Sequence, residues 1–311
     1  MTQTVEPDQA AKSIQLGASP LPPHPPRRWA VPIILQMVAM LGIGALLYPT
    51  TANWFAERAQ QSEISGYNET VQTLPSGERQ QKLASAQAYN SKLPAGVLRD
   101  PYTNPDADAD TAAYAAYRDT LNIADNGMIG ELSYPSLSID LPIYHGTGAD
   151  VLAKGAGHLF GSSLPIGGPS THSVLTSHSG LTNAELFTPL HQASVGDTFT
   201  ISVLGETHYY QVQSTEVITP DQTDHLRIVN GQDLVTLITC TPIGINSHRL
   251  LVTAARIAAP DDSSLQTLAG HAGPGFPWWA VIFVTVSGAV AYILFVPSHR
   301  RRRTASTKEH Q

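Results

Sequence analysis

A thiol, a guanidinium and an imidazole are the groups in this chain that could together break an amide bond. Cys240 is the only cysteine among 311 residues, and it sits in "TLITCTPIGINSHRLLV", Thr236 to Val252, nine residues before Arg249. A lone cysteine makes no internal disulfide. A thiol is nucleophilic as its thiolate, and a neighbouring cation lowers its pKa from the free value of about 8.5. If the runs flanking "TPIGINSH" pair as antiparallel strands, Arg249 returns beside Cys240. Its guanidinium, charged at any working pH, then favours the thiolate and can donate to an oxyanion forming on a carbonyl. Strand alternation turns His248 to the other face.

The better histidine is His178, in "THSVLTSHSGL". It ends a β run at a Ser-Gly turn, the exposed kind of position where site residues gather. It can give a proton to a leaving amine and take one from an incoming amine. His172 is the rival, six residues upstream and therefore about 20 Å away along a strand. Plainer readings exist for each residue. A single cysteine in a β core is commonly a small buried hydrophobe, a lone histidine a satisfied core residue, and an arginine after a loop a solvated one. Spacing alone does not overturn them.

The elements that must position these residues change in texture along the chain. "WFAERAQQSEISGYNETVQTL" and "SGERQQKLASAQAYNSKL" read as helices, with Ser76 a weak cap. "LPAGVLRDPYTNPDADAD" is broken by prolines and acids and reads as an irregular loop. "AAYAAYRDTL" fits one more short helical piece. From about Gly127 short β runs with turn signals take over: "MIGELSYPSL", "IDLPIYHG", "THSVLTSHS", "DTFTISVLG", "THYYQVQSTEVI", "DLVTLITCT" and "HRLLVTAARIA". "DVLAKGAGHL" reads as a short helix between strands, and "VLGETHYYQV" as a hairpin turning at Gly205-Glu206. Such a series argues for an all-β core, a closed barrel or a sandwich.

Two uncharged runs bracket this core: "WAVPIILQMVAMLGIGALLY" (Trp29 to Tyr48) and "WWAVIFVTVSGAVAYILFV" (Trp278 to Val296). Each reaches the roughly 20 residues of a bilayer span, with aromatic residues at its ends. The first also has the form of a cleaved signal peptide, although no clear small-residue cleavage site follows. Arg27 and Arg28 precede the first run and Arg300 to Arg303 follow the second, which places both tails in the cytoplasm. Residues 50–277 carry 22 acidic and 10 basic side chains. A net charge of that sign argues against nucleic acid as a partner. No metal-ligand cluster is visible, and no cofactor is expected.

Thr239-Cys240-Thr241-Pro242, followed by Gly244, Asn246 and His248-Arg249-Leu250, resembles the TLxTCxPxGxNxxRL signature of the sortases. The segments "LPIYHGTGADVLAKGAGHLFGSSLPIGGPSTHSVLTSHSGL" and "LFTPLHQASVGDTFTISVLGETHYYQV" resemble the class C, pilin-polymerising members, and the likeness spans roughly residues 127–256. It implies a closed eight-stranded sortase-type β-barrel, with Cys240 as nucleophile, His178 as acid/base and Arg249 as oxyanion donor. It also implies a lid before the barrel, here Asp100, Pro101 and Tyr102, with Asp100 pairing to Arg249 and the Tyr102 ring covering Cys240. Tyr102 stands where the family more often has Phe or Trp, and Ser179 where an Arg is common.

The expected order is a disordered cytoplasmic tail (1–28), a transmembrane helix (29–48) and an extracytoplasmic helical segment (49–92). A lid loop (93–110), the catalytic barrel (111–257) and a tether (258–277) follow, then a second transmembrane helix (278–296) and a basic cytoplasmic tail (297–311). The implied activity is that of a monomeric cysteine transpeptidase in a Gram-positive envelope. It would cleave an LPxTG-like sorting signal between Thr and Gly through a thioacyl intermediate, and join pilin subunits through a lysine isopeptide bond. The alternatives are a housekeeping sortase acting on a cell-wall precursor and a catalytically inactive envelope binding domain.

Overall fold

The computed structural model of the protein describes residues 29–93, 98–103, 108, 110–123, 126–260 and 273–296. The tails expected at 1–28 and 297–311 and most of the 258–277 tether lie outside the described residues. The seven apolar runs each form a strand: β1 (Met128–Tyr134), β2 (Ile139–His145), β4 (Thr171–Thr176), β5 (Thr198–Val203), β6 (Glu206–Ile218), β7 (Asp233–Thr241) and β8 (His248–Ile257). The eighth strand, β3 (Ala156–His158), falls inside the stretch expected to be only a helix. That helix exists as Ala149–Leu152 and ends before β3 begins. Three residues are too few for an alternation signal, and Gly157 lets β3 pass under the turn after β2: a Cβ there would lie 2.3 Å from the Gly146 carbonyl oxygen.

The strands close into a barrel in the order β1-β2-β3-β4-β7-β8-β6-β5. Most neighbours are antiparallel, but β2–β3 and β4–β7 are parallel. The parallel β4–β7 pair brings the ends of two distant segments, Thr176 and Ile238, side by side. Leu132, Ile143, Phe199, Ile201, Tyr210, Val235 and Val252 fill the barrel interior. The β5–β6 hairpin turns at Leu204 and Gly205, one residue earlier than expected, both at positive φ. That pair of conformations matches the right-handed twist of the strands it joins.

Among the described residues, three helices precede the barrel and one follows it. A single helix α1 runs from Ala30 to Thr73, so no break separates the first apolar run from the polar helix beyond it. Its 44 residues span about 66 Å at 1.5 Å per residue. α2 (Ser76–Lys92) and α3 (Ala112–Asp119) lie against the barrel wall, and Thr111 caps α3 by accepting from the Tyr114 N–H at 3.1 Å. α4 is the short Ala149–Leu152 helix, and α5 is Trp278–Phe295. Both α1 and α5 are long and apolar enough to cross a membrane.

α5 packs antiparallel to the start of α1. Trp29 stacks on Phe295 at 5.8 Å, Gln36 Nε2 donates to the Ser287 carbonyl at 3.1 Å, and Trp54 meets Trp279 at 6.1 Å. The upper half of α1 enters the barrel packing through Ile64, Tyr67 and Val71. The Tyr67 hydroxyl donates to the Ile129 carbonyl and accepts from the Leu204 N–H, both at 3.0 Å.

Candidate active site

Cys240 is the penultimate residue of β7, and its Cα partner on β8 is Arg249. Residues directly opposite in an antiparallel pair face the same side, so the sulfur and the guanidinium share one face at the end of the barrel. The six-residue loop between the strands turns through Gly244 and Asn246 at positive φ. This geometry directs the Asn246 and His248 carbonyls at Arg249 Nη1, at 3.0 and 3.1 Å. His248 pairs with Thr241 and so lies on the opposite face.

His178 lies two residues past the end of β4. Its backbone carbonyl accepts from the Phe187 N–H at 3.0 Å, which closes the turn behind it. Its ring lies 6.0 Å from the Tyr102 ring. His172 is held elsewhere: Nε2 meets Thr236 Oγ1 at 2.7 Å and Nδ1 meets the Arg227 carbonyl at 2.9 Å. Both its ring nitrogens are thereby occupied inside the sheet.

The segment with Asp100, Pro101 and Tyr102 crosses this end of the barrel. Asp100 grips Arg249 as a fork, with Nε to Oδ1 at 2.7 Å and Nη2 to Oδ2 at 2.9 Å. Both side chains are buried. Asp100 Oδ2 also takes the Thr103 hydroxyl at 2.6 Å and the Tyr102 N–H at 3.3 Å, so one carboxylate orders its own turn as well as the guanidinium. The Tyr102 ring lies under the Arg249 guanidinium at 4.9 Å. Its hydroxyl donates to the Ser177 carbonyl at 2.7 Å and accepts from Thr176 Oγ1 at 2.5 Å. Leu98 and Tyr102 cover an apolar surface made by Leu159, Val174, Ile218, Leu226, Ile238 and Leu251.

Electrostatics in this closed arrangement hold both candidate reactive groups neutral. Burial pushes the Cys240 thiol up; Arg249 pulls it down, and Asp100 offsets part of that pull. Burial lowers the pKa of His178. A thiol above its usual range and an imidazole below its usual range are both uncharged at neutral pH. Four of the five Arg249 N–H groups meet these acceptors, and Asp100 occupies the Nε–Nη2 edge.

Sequence reasoning missed the hydroxyls that hold this assembly. Ser179 Oγ donates to the Cys240 carbonyl at 2.8 Å, and Thr239 Oγ1 donates to the Ser177 carbonyl at 2.9 Å. Thr176 anchors the Tyr102 phenol. Their signal was the "LTSHS" run itself, in which small hydroxyl residues surround His178 where apolar residues would continue a core strand.

Residues 132–257 match the family described as "Sortase domain". Among solved structures, sortase C-1 from Actinomyces oris is 49% identical, with 58% of this chain and 99% of that chain covered and a TM-score of 0.56. The pilus-related sortase C of Group B Streptococcus is 43% identical, with 62% and 95% covered and a TM-score of 0.56. Sortase A of Streptococcus agalactiae is 29% identical over 117 residues, which is 37% of this chain and 47% of that protein. The matched part is thus about half the length of that curated relative. Identity of this level across nearly the whole of solved sortase C chains, on the same barrel, reflects common descent: the chain belongs to the sortase family.

Proposed function

We propose that this protein is a membrane-anchored cysteine transpeptidase that joins pilin subunits. The observation that carries the reading is the pairing of Cys240 with Arg249 on adjacent strands, with the His178 ring 6.0 Å from the Tyr102 ring that also lies against Arg249. In the proposed reaction a peptide displaces the Asp100 segment, and the carbonyl of the sorting-signal Thr takes its place at Arg249. The Cys240 thiol loses its proton to His178 as the sulfur attacks that carbonyl. Arg249 donates to the resulting oxyanion, a role for which Asp100 must first vacate the guanidinium. His178 passes the proton to the Gly amine as the C–N bond breaks, leaving a thioacyl enzyme. A pilin lysine amine then attacks the thioester, its proton returns through His178 to the departing sulfur, and an isopeptide bond remains.

The apolar surface beneath Leu98 and Tyr102 has the character needed for the Leu and Pro of an LPxTG-like segment. A pilus-related sortase C among the similar structures supports a pilin as the substrate class. The two apolar helices are read as spans, with both tails cytoplasmic, from Arg27, Arg28 and Arg300 to Arg303. Their antiparallel packing suits that topology. The lid is proposed to shield the site from water until a substrate arrives, which suits a thioester that must outlast hydrolysis. The test uses the full chain in detergent with an LPxTG peptide. A thioester adduct absent in Cys240→Ala, and an SDS-resistant ladder with purified pilin, are expected. Absence of any adduct on the native chain would refute the transpeptidase.

A further inference from the structure

α1 passes both ends of the barrel, and its contacts order them by height above the membrane. The exit of α1 from the apolar layer is marked by Trp54, which meets Trp279 of α5 at 6.1 Å and donates from Nε1 to the Gly275 carbonyl at 2.8 Å. One residue earlier, Asn53 Oδ1 accepts from the Glu185 N–H at 2.7 Å. Glu185 belongs to the turn that Phe187 closes onto His178. Two helical turns on, Gln60 Nε2 donates to the Lys154 carbonyl at 3.2 Å. The next carbonyl, that of Gly155, accepts the Ser177 hydroxyl at 2.7 Å. Further along, Tyr67 reaches Ile129 and Leu204, and Val71 lies against Gly205 in the β5–β6 turn.

α1 therefore climbs the barrel from the end with Cys240 to the end with the β5–β6 turn. β6 says the same independently. It begins at Glu206, beside that turn, and finishes at Ile218, paired with Arg249. The segment entering α5 agrees too, since Gly273 and Gly275 line a cleft with Ser138, Ile139 and Glu185 at the start of β2. With α1 and α5 as spans, the Cys240 end of the barrel is the end nearest the membrane.

At that end the β7–β8 loop presents Ile243 and Ile245, 48% and 72% exposed. Pro242 to Ser247 contains no charged side chain. The loop is seated on the His178 turn, where a Cβ on Gly180 would come within 2.4 Å of Ile243 Cγ2. Nearby, Asp100 pairs with Arg249, Asp224 with Arg227, and Glu216 meets His225, while the exposed carboxylates of Glu185 and Asp221 lie on the adjoining turns. An uncharged loop with two exposed isoleucines, at the level where α1 and α5 leave the apolar layer, has the chemistry of an interfacial contact.

We propose that Ile243 and Ile245 rest in the lipid interface, so that Cys240 works facing the bilayer and the partner of this loop is the phospholipid surface. The inference rests on α1 and α5 being spans. It gives the Cys240 mouth a substrate whose own anchor is still in the same leaflet.

The single cysteine makes the test clean. In the full chain carrying Cys240→Ala, Ile243→Cys, Ile245→Cys and, as a control at the far end, Glu206→Cys are each spin-labelled and reconstituted in phosphatidylcholine bilayers containing phosphatidylglycerol. The ratio of oxygen to nickel-chelate collisions is expected to be several-fold higher at 243 and 245 than at 206. Equal ratios at all three positions would overturn the proposal, whatever the enzyme's activity. In a second arm, Ile245→Ser should slow turnover of a sorting-signal substrate anchored in the same bilayer several-fold and leave a soluble peptide unaffected. Equal loss on both substrates would assign Ile245 to peptide binding and overturn the lipid contact. If the native chain turns over neither substrate, the transpeptidase reading fails, while the collision ratios still decide the membrane contact.

Discussion

Asp100 holds the guanidinium that the proposed reaction needs, and the cost of removing it sets how often the site opens. Breaking a buried ion pair by taking away one partner costs about 3–5 kcal/mol, so on the proposed reading the site stays closed until a substrate carbonyl offers Arg249 new acceptors. Asp100→Ala removes the clasp in advance. Alkylation of Cys240 should then accelerate by about tenfold or more, each factor of ten corresponding to about 1.4 kcal/mol of lid docking. The pH dependence should move as well. Asp100 raises the thiol's pKa and Arg249 lowers it, so losing Asp100 leaves the cation unopposed and shifts the alkylation midpoint to lower pH. An unchanged rate and midpoint would mean that Asp100 does not guard the thiol. At this scale the sequence was informative where chemistry and register coincide: Cys240, Arg249 and the face opposite His248 follow from strand alternation. The hydrogen bonds of Ser179 and Thr176 do not follow, because they join segments more than sixty residues apart.

Among the elements, α1 is the one whose continuity matters most. An apolar run and a polar run looked like two pieces because composition changes near Tyr48, yet helical hydrogen bonding continues through both. Pro49 is the weak point, and Thr50 Oγ1 donates to the Leu47 carbonyl at 2.9 Å beside it. The barrel is clamped to this strut by the Tyr67 hydroxyl. Tyr67→Phe leaves the buried Leu204 N–H and the Ile129 carbonyl without that partner, which should cost about 1–3 kcal/mol in urea unfolding of the barrel. Retention of full stability would assign the clamp to packing alone. β3 shows the limit of pattern reading, since its three residues exist as a strand through their neighbours β2 and β4 and through no periodicity of their own.

For the molecule as a whole, the buried histidines of the barrel make folding sensitive to acid. Burial depresses His145 to about 4 and His158 to about 3, from 6.5. Above pH 6.5 both are neutral in the folded and unfolded chain. Below it the unfolded chain takes up protons that the folded chain refuses, so stability is lost as pH falls toward the folded values. At pH 5 each histidine should remove about 2 kcal/mol, read as a lower urea midpoint than at pH 7.5. His208, also depressed to about 4 by burial, adds a similar loss, so His145→Gln should shrink that difference by about a third, and a pH-independent midpoint would refute the account. The sequence by itself determined the two apolar runs, the β-rich core and the shared face of Cys240 and Arg249, because these depend on residue type and local period. Only the tertiary structure decided that Asp100 grips the guanidinium through both oxygens, that both ring nitrogens of His172 are engaged inside the sheet, and that the Cys240 end of the barrel lies beside the apolar helices. Those outcomes depend on parallel strand pairing and on where one long helix docks, and both are set by contacts between residues far apart in the chain, which no local pattern encodes.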